Sequence, residues 1–200
     1  MGCNTASSYG PVLAFDTSAA HCAAALFLDG AVVTAAQQMN RGQAETLMPL
    51  LNEILTDQGL RCSDLARLAV GVGPGNFTGI RIAVSAARGL AMALDIPAIG
   101  VSSFEAVLHG QEGRVAAISA PRDMAYLQKE NAPPCLVALE EVPEDALWPE
   151  TPAALVKAMA VIASQARADR VGMSPAPLYI RPASAAPPRA APPVILNDAS

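Results

Sequence analysis

The sequence predicts an α/β fold in which a meander of three strands passes into parallel crossovers, with a smaller second lobe behind it. Two patterns and the composition carry that expectation. Three short apolar runs follow one another before residue 40, and helical and strand patterns alternate from residue 43 to 109. Of 200 residues, 52% are hydrophobic and 41 are alanine, while only 4% are aromatic. That is too apolar for a disordered chain. The length allows roughly 70% of the unfolded surface to be buried.

The elements follow in order. Val12-Leu13-Ala14-Phe15-Asp16 is an apolar run ending in a carboxylate, Cys22 to Leu28 is a second, and Ala31 to Thr34 is a third. Asp29-Gly30 between the last two is a hairpin signal, because both turn positions favour φ > 0. Gln43 to Leu55 carries Ala44, Leu47, Met48, Leu51, Ile54 and Leu55 at helical spacing, with Pro49 expected to kink the helix or split off its first turn. Leu68 to Val72 reads as a buried strand, followed by a glycine-rich turn and a helix over about 78–94 that stops before Pro97. Ala98 to Val101 is another strand. Ser102-Ser103-Phe104-Glu105 is a capping box opening a helix to His109. This βββ-α-β-α-β-α order resembles one lobe of the ribonuclease-H-like, actin-like ATPase fold. Strands over 115–119, 124–128 and 136–139 follow, then a helix capped by Thr151-Pro152 that runs to about Ala168. The organisation expected is a flexible lead (1–10), a first lobe (11–110), a reduced second lobe (111–181) and a Pro/Ala-rich disordered tail (182–200).

Charge and cysteine usage narrow the function. Thirteen basic and eighteen acidic residues give a net charge of −5 without a basic patch. That argues against holding nucleic acid unaided, since phosphate contacts supply most of such affinity. The four cysteines have no C-x-x-C spacing and read as reduced thiols. The N-terminus has neither a basic n-region nor an apolar h-region. No apolar stretch reaches the ~20 residues of a membrane span without interruption. A soluble, cytoplasmic chain is expected.

Gly71 to Gly79 is the most informative stretch. A glycine-rich turn feeding a helix offers backbone N–H groups to an anion; equally, the glycines could serve only to close the turn and let the helix pack. G-x-x-x-x-G-K-[ST] fails, because no lysine precedes Lys129, and G-x-G-x-x-G fails at Asn76. Asp16-Thr17 stands where an actin-like lobe would hold Mg²⁺-phosphate, and with Gly73, Gly75 and Asn76 it marks a vestigial nucleotide site; a solvated Asp is the plainer reading. His21 and His109 read as surface residues, and no dihistidine pair or G-x-S-x-G elbow is present. No catalytic or metal-binding residue is therefore assigned.

The helix after the turn has a smooth face, with Gly79, Ala83, Ala87 and Ala91 every four residues, and such a face admits another helix closely. Beside the apolar stripe of the preceding helix it predicts a partner surface. Its expected members are Ala44, Leu47, Met48, Leu51, Ile54, Thr78, Gly79, Ile82, Ala83, Ala86, Ala87 and Leu90.

Val12–Ser18, Leu47-Met48-Pro49, Gly73-Pro74-Gly75-Asn76-Phe77-Thr78-Gly79-Ile80-Arg81 and Ile99–Ser102 together resemble the TsaB family, over about residues 12–109. Gln43 stands where that family usually has His. The resemblance implies a non-catalytic subunit of the machinery making threonylcarbamoyladenosine at position 37 of tRNAs that read codons starting with adenine. It implies pairing with a catalytic TsaD subunit, a TsaE ATPase in the cycle, and a homodimer in their absence. ATP and metal are then expected in the partner subunits, none bound tightly here, and tRNA only through the complex. The alternative is an active actin-like ATPase or kinase using Asp16 and the Gly73–Gly79 turn, although no second phosphate loop follows residue 113.

Overall fold

Strict alternation along the first strands divides one sheet into two faces. A computed structural model describes residues 10–129 and 132–180; the tail assigned to 182–200, and the lead apart from Gly10, lie outside the described residues. β1 (Val12–Asp16), β2 (His21–Leu28) and β3 (Ala31–Gln38) form the expected antiparallel meander. Asp29 and Gly30 both take positive φ at its second turn. β4 (Arg67–Gly71) and β5 (Ala98–Val101) add parallel strands, giving the order β3-β2-β1-β4-β5.

Leu13, Phe15, Cys22, Ala24, Leu26, Leu68 and Val70 point to one face and pack under two helices, α1 (Gln43–Asp57) and α2 (Phe77–Leu94). α1 runs through Pro49 as one helix, so its first turn is not split off. Pro49 is exposed, so its missing hydrogen bond falls on the solvent side. Buried Leu47 on one side and Leu50, Leu51, Ile54 and Leu55 on the other hold both halves of the helix on the sheet. α2 is capped by the Asn76 side chain, which accepts from the Gly79 N–H, and stops at Asp95 in the left-handed region.

The opposite face is lined by small residues: Ala14, Ala23, Ala25 and Ala69. α3 (Ser103–Leu108) opens with the predicted capping box, in which the Ser102 N–H donates to Glu105 at 2.8 Å and the Glu105 N–H donates to the Ser102 hydroxyl at 3.1 Å. β6 (Val115–Ala120), β7 (Met124–Lys129) and β8 (Cys135–Ala138) form a separate antiparallel sheet. α4 (Pro152–Ser164) then departs from the expected division of lobes. Instead of completing the second lobe, it lays Leu155, Val156, Met159, Ala160 and Ala163 against the alanines of the first sheet. The alanines leave room for the close approach of a helix. Arg67, buried in β4, clips its end by donating to the carbonyls of Ala163 and Ala166 at 3.0 Å each. A short helix, α5 (Ala168–Val171), and an extended segment through Ile180 close the back of β5. Leu178 N–H donates to the Val72 carbonyl, and Arg88 to that of Pro175.

Candidate functional site

Two regions bear on function: the C-terminal end of β1 and the outer faces of α1 and α2. At the first, the sequence-level reading needs correction. Asp16 is fully buried, not solvated, and His21 is buried with it. The Asp16 Oδ2 accepts from the Ser18 N–H at 3.0 Å and the Ser18 hydroxyl at 2.9 Å, and lies 2.7 Å from His21 Nε2. Asp16 Oδ1 has no partner among the described residues and abuts Gly71, where any Cβ would overlap it. The sequence held a signal for this pair. Asp16 is opposite Ala23 in the β1–β2 register, so His21 extends the same face by one diagonal step.

The glycine turn is filled in the same way. A Cβ on Gly75 would overlap the Ser18 carbonyl oxygen, and one on Gly79 that of Thr17. The Asn76 N–H donates to the Ser18 carbonyl at 2.6 Å, and the buried Thr17 hydroxyl donates to the Gly79 carbonyl at 2.7 Å. Of the two roles open to these glycines, the geometry favours packing: Gly73 is buried, Gly75 half-buried, and Asn76 exposed with its side chain spent on the α2 cap. Gln43 reaches toward the β1–β2 turn, donating to the Ala19 and Met39 carbonyls at 3.5 and 3.4 Å. Among the described residues no three His, Cys, Asp or Glu side chains gather to hold a metal. Next to this end Cys22 is buried, and desolvation, helped by the Asp16 carboxylate, pushes its thiol up to about 11.

The α1–α2 surface divides into an inner and an outer face. Leu51, Ile54, Gly79, Ala83 and Ala87 are buried in the chain's own core. The smooth stripe therefore serves the sheet, which corrects the expectation that these five residues face a partner. The smooth face is needed because α2 must cross close over the Thr17 carbonyl and the β1 and β4 side chains. Leu90 is half-buried against the same core. Ala44, Met48 and Thr78 are exposed, Ile82 and Ala86 half-buried, and with buried Leu47 they line an open groove of about 530 Å³ between the helices. Phe77, Arg81 and Ser85 complete it. Sequence reasoning passed over its aromatic end. There Phe77 is 53% and Tyr179 48% exposed, with ring centres 5.2 Å apart. The Arg81 guanidinium lies 4.2 Å over the Phe77 ring and donates to the Tyr179 hydroxyl at 3.3 Å.

α2 has the length and hydropathy of a membrane-crossing helix, but its apolar inner face packs on the sheet.

A meander with parallel crossovers, helices on both faces and a filled strand end defines the class: an α/β chain of actin-like ATPase-type fold. Residues 34–145 match the family described as TsaD, tRNA N6-adenosine threonylcarbamoyltransferase, and the chain belongs to that family. Its similarity is to proteins named TsaB, tRNA threonylcarbamoyladenosine biosynthesis protein. It is 38% identical over 99 residues to that of Escherichia coli, covering 50% of this chain and 43% of the relative. It is 36% identical over 124 residues to that of Haemophilus influenzae, covering 59% and 52%. The chain thus spans about half the length of the curated relatives it matches. Among solved structures, YeaZ from Pseudomonas aeruginosa superposes with a TM-score of 0.68 at 26% identity, over 86% of this chain and all of that one. The TsaB resemblance read from the sequence is borne out.

Proposed function

We propose that this chain is a non-catalytic partner subunit in threonylcarbamoylation of adenosine 37 in tRNAs reading codons that start with adenine. It acts by pairing with a catalytic TsaD-type subunit, with a TsaE-type ATPase in the cycle. The observation that carries the reading is the open apolar groove of Leu47, Met48, Ile82 and Ala86 on the outside of α1 and α2. Paired helices presenting such a groove suit the insertion of another helix pair. Without the partner the same face would meet its own copy, forming a two-fold homodimer.

The alternative, ATP turnover at Asp16, is not favoured. Its carboxylate is buried and bonded to His21 and Ser18, and the turn that would cradle phosphate donates to the Ser18 carbonyl instead. In this proposal ATP and metal reside in the partner subunits, tRNA is reached only through the complex, and the complex works in the cytoplasm, away from any membrane. The test is reconstitution. TsaD-type and TsaE-type subunits, tRNA, ATP and the threonylcarbamoyl donor should modify tRNA only when this chain is added, and adding Asp16→Asn chain should restore as much product. Product formed without the chain, or ATP turnover by the isolated chain that Asp16→Asn abolishes, would overturn the proposal.

A further inference from the structure

We infer that Arg81, at the aromatic end of the α1–α2 groove, is a carboxylate receptor: the partner helix seated there carries an Asp or Glu just past its apolar ridge. This rests on the groove reading above and adds the chemistry that selects one apolar helix over another.

The sequence confines charge to one point of this surface. α2 has no acidic residue, and of its two arginines Arg88 is engaged by the Pro175 carbonyl at 2.8 Å. Arg81 is the one charged residue among those lining the groove. Its guanidinium is held from two sides. It lies 4.2 Å over the Phe77 ring, and its Nε–H donates to the Tyr179 hydroxyl at 3.3 Å. Tyr179 sits on the extended segment that Leu178 ties to the Val72 carbonyl at 2.8 Å. These contacts use the Nε edge and one face. The two terminal amino groups, which take a carboxylate in parallel bonds, have no acidic partner among the described residues. A stacked guanidinium has already lost much of its freedom, so an incoming carboxylate meets a preset fork.

The rest of the groove says what brings that carboxylate. Leu47, Met48, Ile82 and Ala86 require an apolar occupant beside it. A helix meets both demands with an apolar ridge at i, i+4 spacing and an acid within about one turn of its end. A tRNA phosphate fits less well, because phosphate backbones are held by several cations together. The groove offers one, on a chain of net charge −5. A ridge lacking the acid would cover the guanidinium and leave it unpaired, which disfavours wrong partners.

The test is calorimetric titration of the full chain with the TsaD-type subunit at about 0.05 and 0.5 M salt. Arg81 is exposed, so Arg81→Gln should keep its circular dichroism spectrum. It should weaken pairing at least about tenfold at the lower salt and lose most of the salt dependence of the natural chain. Arg81→Lys should recover only part of the loss, since an ammonium is a point charge without the fork. Arg81→Glu should pair worst, and changing the acids of the TsaD-type docking helix to Arg one at a time should restore it at one position. Ala86→Arg separates the two readings. If it pairs normally, the groove reading itself falls. If it fails to pair while Arg81→Gln pairs like the natural chain, only this inference falls. Arg81→Gln that pairs normally but lowers binding of tRNA to the complex would assign Arg81 to nucleic acid and overturn the inference as well.

Discussion

Replacing His21 with alanine removes the closest hydrogen-bond partner of a fully buried carboxylate. His21 Nε2 lies 2.7 Å from Asp16 Oδ2, and the two side chains are 8% and 1% exposed. Leaving a buried polar group without its hydrogen-bond partner costs about 1–3 kcal/mol, and more for a carboxylate. Ser18 still donates twice to the same oxygen, which keeps the loss to about 3 kcal/mol. For a chain of this size that corresponds to a fall in Tm of about 6–12 °C. Circular dichroism melts of His21→Ala, Asp16→Ala and the double variant form the assay. In the double variant no carboxylate remains to be stranded, so it should be less damaged than the sum of the single variants, with a coupling of at least about 1 kcal/mol. A His21→Ala loss under about 1 kcal/mol, or strict additivity in the cycle, would refute the account of Asp16 as a carboxylate locked by its histidine.

Three further outcomes are expected. Gly79→Ala should destabilise by about 1–3 kcal/mol in chemical denaturation, since its Cβ would meet the Thr17 backbone oxygen, which cannot move aside as a flexible side chain can. Arg67→Met should cost about 1.5–3 kcal/mol through its two lost bonds to the end of α4, with hydrogen exchange rising most in α4. Cys22 should resist thiol reagents in the native chain while exposed Cys135 reacts. Because its thiol sits near 11 when folded against 9.0 ordinarily, the unfolded chain ionises first. Stability tied to the protonated thiol is therefore full below about pH 9 and is lost as pH rises toward 11, a slope that Cys22→Ala should flatten.

Much of the fold was legible because its signals are local. Asp29-Gly30, the Ser102–Glu105 box and the Thr151-Pro152 cap each act within four residues, and each stands where expected. The placement of α4 was not legible, because its apolar residues show that it is buried without showing against which sheet. The complementary signal, Ala14 of β1 beside Ala23 and Ala25 of β2, becomes visible only once both strands share a face. At the strand end, a lone Asp and a lone His look like surface residues until the hairpin register sets them side by side. The smooth stripe of α2 misled for a related reason. Small residues mark a close approach, and only the three-dimensional arrangement tells that the approach is to β1 and not to another chain. The outer groove rests on the residues between the stripes, Met48, Ile82 and Ala86, whose spacing alone carried less contrast.

The most direct measurement is light scattering of the chain mixed with its TsaD-type partner, comparing the natural sequence with Ala86→Arg. Ala86 lines the groove and is only half-buried, so the variant should keep its circular dichroism spectrum and melting profile while losing both the heterodimer and the self-associated form. A folded Ala86→Arg chain that pairs as the natural chain does would contradict the assignment of the α1–α2 groove as the partner surface.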